Sequence, residues 1–326
     1  MDYSMNTAIY AAIIAFIANI MLCPLLIPAL RKLKFGQQIR GDGPQSHLKK
    51  AGTPTMGGIM IVLSFLVASL VFMRGNPHAL AITGATVGFC IIGCVDDYLK
   101  KIKKQSLGLR WWQKLAGQLV VSLGFWFHWR TLPGYTTEIL IPFFPDLTFD
   151  VGFLFPAFVV LVFLSSTNGA NLTDGLDGLA SGVTAIIAMF FMFAALILGS
   201  PVLPVAGAVV GGLMGFLLFN SYPARVMMGD TGSLALGGFV AAVALMLQMP
   251  LFLLIVAIIY VVESLTVIMQ VTYFKLTKGK RIFPMTPIHH SFEMIGWTET
   301  KIVAFFCVIT AMACLVGYLA LMGLGA

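Results

Sequence analysis

The chain has 326 residues, of which 59% are hydrophobic and only 10% are charged, with a formal net charge of +7. So apolar a composition excludes an ordinary soluble globular protein, and apolar runs of about 20 residues are what membrane spans require. Such runs recur along nearly the whole length. We therefore expect an all-α polytopic membrane protein with one integral membrane domain over 1–326.

The apolar runs predict about ten transmembrane helices. In chain order they cover 5–30, 55–73, 79–95, 113–129, 153–168, 178–198, 202–219, 231–248, 250–275 and 301–323. The Thr- and Pro-containing stretch 131–152 predicts a short external hairpin. The five cysteines lie inside apolar runs without metal-binding spacing, which indicates buried small side chains.

The distribution of basic residues predicts the orientation. Only Arg74 and Arg130 of the 20 basic residues lie on one side, so by the positive-inside rule the other side is cytoplasmic. An even number of spans then places both termini outside. The remaining 18 lie in the five loops 31–54, 96–114, 165–178, 220–230 and 275–301.

Two of these loops carry groups of acidic and amide side chains. Asp96 and Asp97 close a helix, where adjacent carboxylates favour a nearby cation or a magnesium-bound phosphate. The alternative is neutralisation by Lys100 and Lys101 at helical spacing. The segment 165–182 has a polar residue at every third position, interrupted by glycines that allow close approach of a nucleotide or phosphate; the alternative is a plain loop. The four polar residues are Asn168, Asn171, Asp174 and Asp177.

Three further polar segments lie on the same face. Residues 219–233 place Asp230 at a helix start, which suits anion binding or a simple N-cap. Residues 287–293 contain the pair His289 and His290, which favours phosphate or metal contact over inert surface residues. Residues 41–58 form a glycine-rich helix entry, or a simple turn. Five polar loops on one face are what an enzyme needs to join a water-soluble phosphorylated donor to a lipid acceptor.

Glu263 is the one acidic residue in the middle of a predicted span. An intramembrane carboxylate is a functional candidate by default. We instead expect a protonated Glu263 that hydrogen-bonds Ser264 or Thr266, because no basic residue in the spans could neutralise it.

The polar strings resemble, in order and along almost the entire chain, the phospho-N-acetylmuramoyl-pentapeptide-transferase family. The matching strings are DGPQSHLKKAGTPTMGG, VDDYLK, KLAGQ, NLTDGLDGLA, FN–P–MGDTGS and MTPIHHSFE. The resemblance implies ten spans, a homodimer, Mg²⁺, a multi-pass protein of the bacterial cytoplasmic membrane with its active-site cleft facing the cytoplasm, and no nucleic-acid partner. It also implies transfer of phospho-MurNAc-pentapeptide from UDP-MurNAc-pentapeptide to undecaprenyl phosphate, giving lipid I and UMP.

The resemblance assigns roles residue by residue. Asp230 matches the magnesium-binding aspartate. Met227 stands where the family commonly has a uracil-stacking Phe, and Ser291 stands where it usually has a third His. The catalytic matches are Asp96, Asp97, Asp230, Lys50, Lys114, His289 and His290; the substrate-binding matches are Asn171, Asp174, Gly175, Leu176, Asp177, Asn220 and Met227.

Two other functions are weighed against this one. A related transferase using UDP-GlcNAc would share the aspartate pair but not TPTMGG and PIHHSFE. A secondary transporter would place its ionisable residues near the midplane of the membrane, whereas here only Glu263 does so. The sequence leaves open a one-step displacement, with Asp96 as candidate base, or a two-step route through a phospho-aspartate.

Overall fold

A computed structural model describes residues 4–33, 52–72, 75–103 and 108–323. The helices in these ranges are α1 (Met5–Lys32), α2 (Gly58–Phe72), α3 (Pro77–Lys103), α4 (Trp111–Trp129), α5 (Phe155–Thr173), α6 (Leu179–Ile197), α7 (Leu203–Asn220), α8 (Gly229–Met246), α9 (Leu253–Val256), α10 (Ile258–Leu276), α11 (Ile288–Met294) and α12 (Glu299–Met322). All except α9 and α11 have at least 15 residues, and these ten match the ten predicted spans. The all-α polytopic class is therefore confirmed.

Eight of the ten are long and apolar enough to cross a membrane; α2 is shorter, and α4 is richer in polar residues. Two strands complete the described chain. Strands β1 (Glu138–Ile141) and β2 (Phe144–Asp150) pair antiparallel, with Glu138 opposite Asp150 and an irregularity after Leu140. The predicted hairpin is therefore confirmed as a β-hairpin.

Small residues bring α1 and α7 into close contact. Gly207, Gly211 and Gly215 recur every fourth residue and so form one face of α7. A Cβ on Gly211 would lie 1.9 Å from the Ala12 carbonyl oxygen, so only glycine fits. Asn19 on the same helix α1 donates to the Ser64 hydroxyl of α2 at 3.1 Å. Tight packing thus joins α1 to α7, and a buried hydrogen bond joins α1 to α2.

Helices α3, α4, α5 and α8 pack into the part of the bundle that carries most of the polar residues. The Phe163 ring stacks on Phe89 and meets Phe125 edge to face, with ring centroids 5.3 and 5.0 Å away. The Ser166 hydroxyl donates to the Gly237 carbonyl at 2.9 Å, which joins α5 to α8. These contacts set the positions of the helix ends where the polar side chains lie.

At two of the predicted spans the observed helices differ from the prediction in a way that affects the site. Helix α3 continues past residue 95 to Lys103, so Asp96 and Asp97 lie on a regular helix. The predicted span 250–275 is wrong as one helix, because the helix is interrupted at Ala257, between α9 and α10. Residues 271–276 of α10 are all exposed, which shows that α10 extends beyond the helices packed against it.

Candidate active site

Four helix ends meet at one place in the bundle. The C-terminal parts of α3 and α5 bring Asp96, Asp97 and Asn171, and the first turns of α4 and α8 bring Lys114 and Asp230. The structure thus collects five of the predicted site residues from four separate helices. We call Asp96, Asp97 and Asp230 the acidic centre, because one carboxylate oxygen from each lies within 4.8 Å of the others.

Two lysines neutralise much of the acidic centre. The Lys100 ammonium lies 2.7 Å from Asp96 Oδ2, 3.1 Å from Asp230 Oδ1 and 3.7 Å from Asp97 Oδ1. The Lys114 ammonium lies 3.0 Å from Asp230 Oδ2. Three carboxylates and two ammonium groups leave a formal charge of −1, and the three carboxylates are close enough together to hold a metal ion.

Asn171 fixes the orientation of Asp230. Its amide nitrogen donates to Asp230 Oδ1 at 3.0 Å and to the Ser233 hydroxyl at 2.9 Å, while its amide oxygen accepts from Lys114 at 3.2 Å. A single amide therefore positions both the Asp230 carboxylate and the Lys114 ammonium group. The substrate-binding role expected for Asn171 stays a prediction.

Asp97 caps helix α8. Its carboxylate accepts from the backbone N–H of Asp230 at 3.3 Å and of Thr231 at 3.0 Å, and from the Thr231 hydroxyl at 2.8 Å. A negative charge at a helix N-terminus satisfies free N–H groups and the helix dipole. Asp97 therefore positions the first turn of α8, which carries Asp230.

The turn of residues 174–178 follows α5 beside the acidic centre. Withdrawal from water, with the negative charges of Asp230 and Asp97, raises the pKa of Asp174 well above its usual range. Asp177 accepts from the Ala224 N–H at 2.9 Å and its own N–H donates to Glu299 Oε1 at 2.5 Å. The turn is thus tied to the 221–228 loop and to α12.

Asn220 and Met227 hold the 221–228 loop. The Asn220 side chain accepts from the Ser181 hydroxyl at 2.7 Å and donates to the Val226 carbonyl at 3.0 Å. Met227 is buried, and its N–H donates to the Pro54 carbonyl at 2.8 Å. Contact of Met227 with uracil stays a prediction, and Lys50 lies outside the described residues.

The two histidines have different partners. His289 Nδ1 lies 2.9 Å from Glu263 Oε1, and His290 Nδ1 lies 2.7 Å from Glu293 Oε2. Ser291, where the resembled family usually has a third His, hydrogen-bonds through its hydroxyl to the Met285 carbonyl. The Ser291 hydroxyl is therefore bound to the backbone of the preceding loop.

The partner predicted for Glu263 is wrong. The Thr266 hydroxyl donates to the backbone carbonyl of Glu263 at 2.9 Å, and the Glu263 carboxylate pairs with His289 instead. Periodicity along α10 could not show this, because His289 comes from a different element, α11. Glu263 therefore pairs with one of the predicted site residues and is not an isolated carboxylate in a span.

Lys100 is a member of the site that the sequence patterns did not reveal. They indicate Lys100 only as a neutralising partner of Asp96 and Asp97, whereas the structure also places it against Asp230. Its spacing of four residues from Asp96 is what predicted the pairing with that carboxylate. The reach to Asp230 depends on how α8 packs against α3, which no local pattern specifies.

Comparison with known proteins gives consistent results over nearly the whole chain. The model of Glycosyl transferase family 4 matches residues 79–248, and the phospho-N-acetylmuramoyl-pentapeptide-transferase signature 1 matches residues 50–62. Proteins named phospho-N-acetylmuramoyl-pentapeptide-transferase are similar in Clostridium kluyveri (48% identical, 97% of this chain and 100% of the relative), Acetivibrio thermocellus (47%, 98% and 97%) and Clostridium perfringens (49%, 96% and 98%).

Proposed function

Because this chain belongs to the phospho-N-acetylmuramoyl-pentapeptide-transferase family, we propose that it transfers phospho-MurNAc-pentapeptide from UDP-MurNAc-pentapeptide to undecaprenyl phosphate, giving lipid I and UMP. One structural observation supports this most: the acidic centre lies between Lys100 and Lys114 where four helices end. Positive charges beside carboxylates can bind a diphosphate and a cation together, which phosphoryl transfer requires.

The cation that we propose for the acidic centre is Mg²⁺. Oxygen ligands are the ones that Mg²⁺ prefers, and the three carboxylates are close enough to share one ion. Asp230 is the proposed ligand, with Asp97 holding α8 behind it. When bound, Mg²⁺ would offset the negative charge of the reacting phosphates.

The proposed chemistry is a single displacement. An oxygen of undecaprenyl phosphate forms a bond to the β-phosphorus, the bond from that phosphorus to the bridging oxygen breaks, and UMP leaves with the electron pair. A phosphate monoester with a second pKa of about 6 is mostly dianionic at pH 7, so little deprotonation is needed. We therefore assign Asp96 to alignment of this phosphate, with Lys100 at 2.7 Å on the same carboxylate. UMP release without any lipid phosphate would instead indicate a phospho-aspartate route.

The remaining assignments follow from the same resemblance and from the basic loops. We propose one domain over 1–326 in the cytoplasmic membrane, with the site facing the cytoplasm, both termini outside, and a homodimer as the assembly. Support for the orientation comes from 18 of the 20 basic residues, which fall in the loops on one side. A C-terminal alkaline phosphatase fusion should be active outside the cell, and mass measurement in detergent tests the dimer.

The activity is tested with purified protein, Mg²⁺, undecaprenyl phosphate and either of two donors. UMP and lipid I should form with UDP-MurNAc-pentapeptide and not with UDP-GlcNAc. Reaction with UDP-GlcNAc alone would favour the related transferase. Absence of UMP with either donor would contradict a transferase function.

A further inference from the structure

Glu263 and His289 form a fully buried pair. Both side chains are 0% exposed, and Glu263 Oε1 lies 2.9 Å from His289 Nδ1. The other two polar atoms, Glu263 Oε2 and His289 Nε2, have no hydrogen-bond partner in the described part of the chain. Buried polar atoms without partners are rare and costly, so such an atom at a functional site indicates a ligand contact.

The free nitrogen of His289 faces the 174–178 turn. A Cβ added to Gly175 would lie 2.1 Å from His289 Nε2 and 2.7 Å from Cε1. The edge of the imidazole ring therefore lies directly against this glycine, and any larger residue there would displace it. Gly175 allows Nε2 to reach the turn that follows α5 and lies beside the acidic centre.

Burial restricts where the proton on His289 can be. An ionised Glu263 with a neutral imidazole would leave one uncompensated negative charge, and the only ion-pair partner of Glu263 among the described residues is His289. Three arrangements have no net charge. A protonated Glu263 that donates to Nδ1, or a glutamate paired with an imidazolium, places a hydrogen on Nε2. In the third, Nδ1–H donates to the carbonyl oxygen of a protonated Glu263; this pairing is weaker, and it leaves the O–H of the acid without an acceptor among the described residues.

We infer that Glu263 is a positioning residue for His289, which it holds with a hydrogen on Nε2 so that this N–H donates to an acceptor oxygen of the UDP moiety bound at the 174–178 turn. This inference rests on the proposed function, because it takes its ligand from that reaction. Such a carboxylate fixes the ring orientation and the tautomer of the histidine without touching substrate itself.

Two substitutions of Glu263 separate this role from simple packing. In Glu263→Gln the amide can donate to Nδ1, so the hydrogen stays on Nε2 and transfer should fall by less than about threefold. Glu263→Leu removes the partner of Nδ1 and should lower kcat/KM by about 10- to 100-fold, the usual effect of losing an orienting carboxylate. The matched control is Thr310→Val, which removes another buried hydroxyl, one that donates within α12 to Phe306, and should not change the rate.

The comparison with a catalytic triad shows what would overturn the inference. Where Nε2 must accept a proton, as in a Ser-His-Asp triad, the amide substitution fixes the wrong tautomer and is damaging. A loss in Glu263→Gln as large as in Glu263→Leu would therefore mean that Nε2 acts as an acceptor.

A double-mutant cycle tests whether Glu263 acts through His289. The combined variant Glu263→Leu with His289→Leu should lose no more activity than His289→Leu alone, because the positioning residue has nothing left to position. Multiplication of the two separate losses would contradict the inference. Thermal unfolding of each variant identifies any that fail to fold.

Nitrogen NMR gives a readout that does not depend on activity. The chain has five histidines, so ¹⁵N-histidine labelling yields a small set of ring signals, and the His289→Leu variant assigns His289. Nε2 of the wild type should carry a hydrogen, and its signal should shift when UMP is added. An unprotonated Nε2, or no response to saturating UMP, would overturn the inference. Absence of UMP release from the wild type would instead contradict the proposed function and leave the NMR result on the pair standing.

Discussion

Substitution of Gly93 by Ala should move Asp230 away from its lysines. A Cβ at Gly93 would lie 2.1 Å from the Asp230 carbonyl oxygen and 2.6 Å from the Thr231 Cα, both backbone atoms of the first turn of α8. Ordinary contact begins at 3.4 Å, so the two helices must separate by about 1.3 Å. Asp230 forms ion pairs with Lys114 at 3.0 Å and with Lys100 at 3.1 Å, and the two cannot both survive such a shift.

The expected result has two parts. Overpacking of this kind costs about 1–3 kcal/mol of stability, and a displacement of about 1 Å in a catalytic group can lower the rate about 10²-fold. The assay is UMP release from UDP-MurNAc-pentapeptide with undecaprenyl phosphate, together with thermal unfolding in detergent. We expect kcat to fall about 10²-fold in protein that is still folded at the assay temperature.

The matched control is Gly84→Ala on the same helix. Gly84 has nothing within 4 Å of an added Cβ, so this change should keep activity and favour the helix by about 1 kcal/mol. A folded Gly93→Ala variant with wild-type kcat would refute the reasoning, because it would show that contact between α3 and α8 does not set the position of Asp230.

Three further substitutions test other contacts. Asp230→Ala should abolish transfer in folded protein, because the proposed metal ion loses its protein ligand. More than about a tenth of the wild-type rate at saturating Mg²⁺, a loss of less than about 1.4 kcal/mol in barrier, would exclude Asp230 as the metal ligand. Asp97→Asn should lower both activity and stability, the latter by about 1–2 kcal/mol, because Asp97 caps α8; calorimetry that shows unchanged unfolding would argue against the cap. Gly211→Ala should destabilise the protein by about 1–3 kcal/mol through its contact with α1, and an unchanged melting temperature would contradict that packing.

The class of the protein and the number of its main helices can be read from the amino-acid sequence. Long apolar runs must be buried or lipid-facing, so nine of the ten predicted spans correspond to one helix each in the described residues, and the span 250–275 corresponds to α9 and α10. The polar strings identified the family because several polar residues stand at fixed spacing within one string, as Asn171 and Asp174 do. These are local features, and local features are readable without a fold.

Which polar groups meet could be seen only once the helices were packed together. The contact between Lys100 and Asp230, the cap of Asp97 on α8 and the pair of Glu263 with His289 each join residues from different helices or loops. Such contacts depend on the depth and rotation of each helix, which are set by close approaches such as that at Gly93. Hydropathy reports only how apolar a segment is, so Glu263 looked like an isolated acid until α11 was placed beside α10.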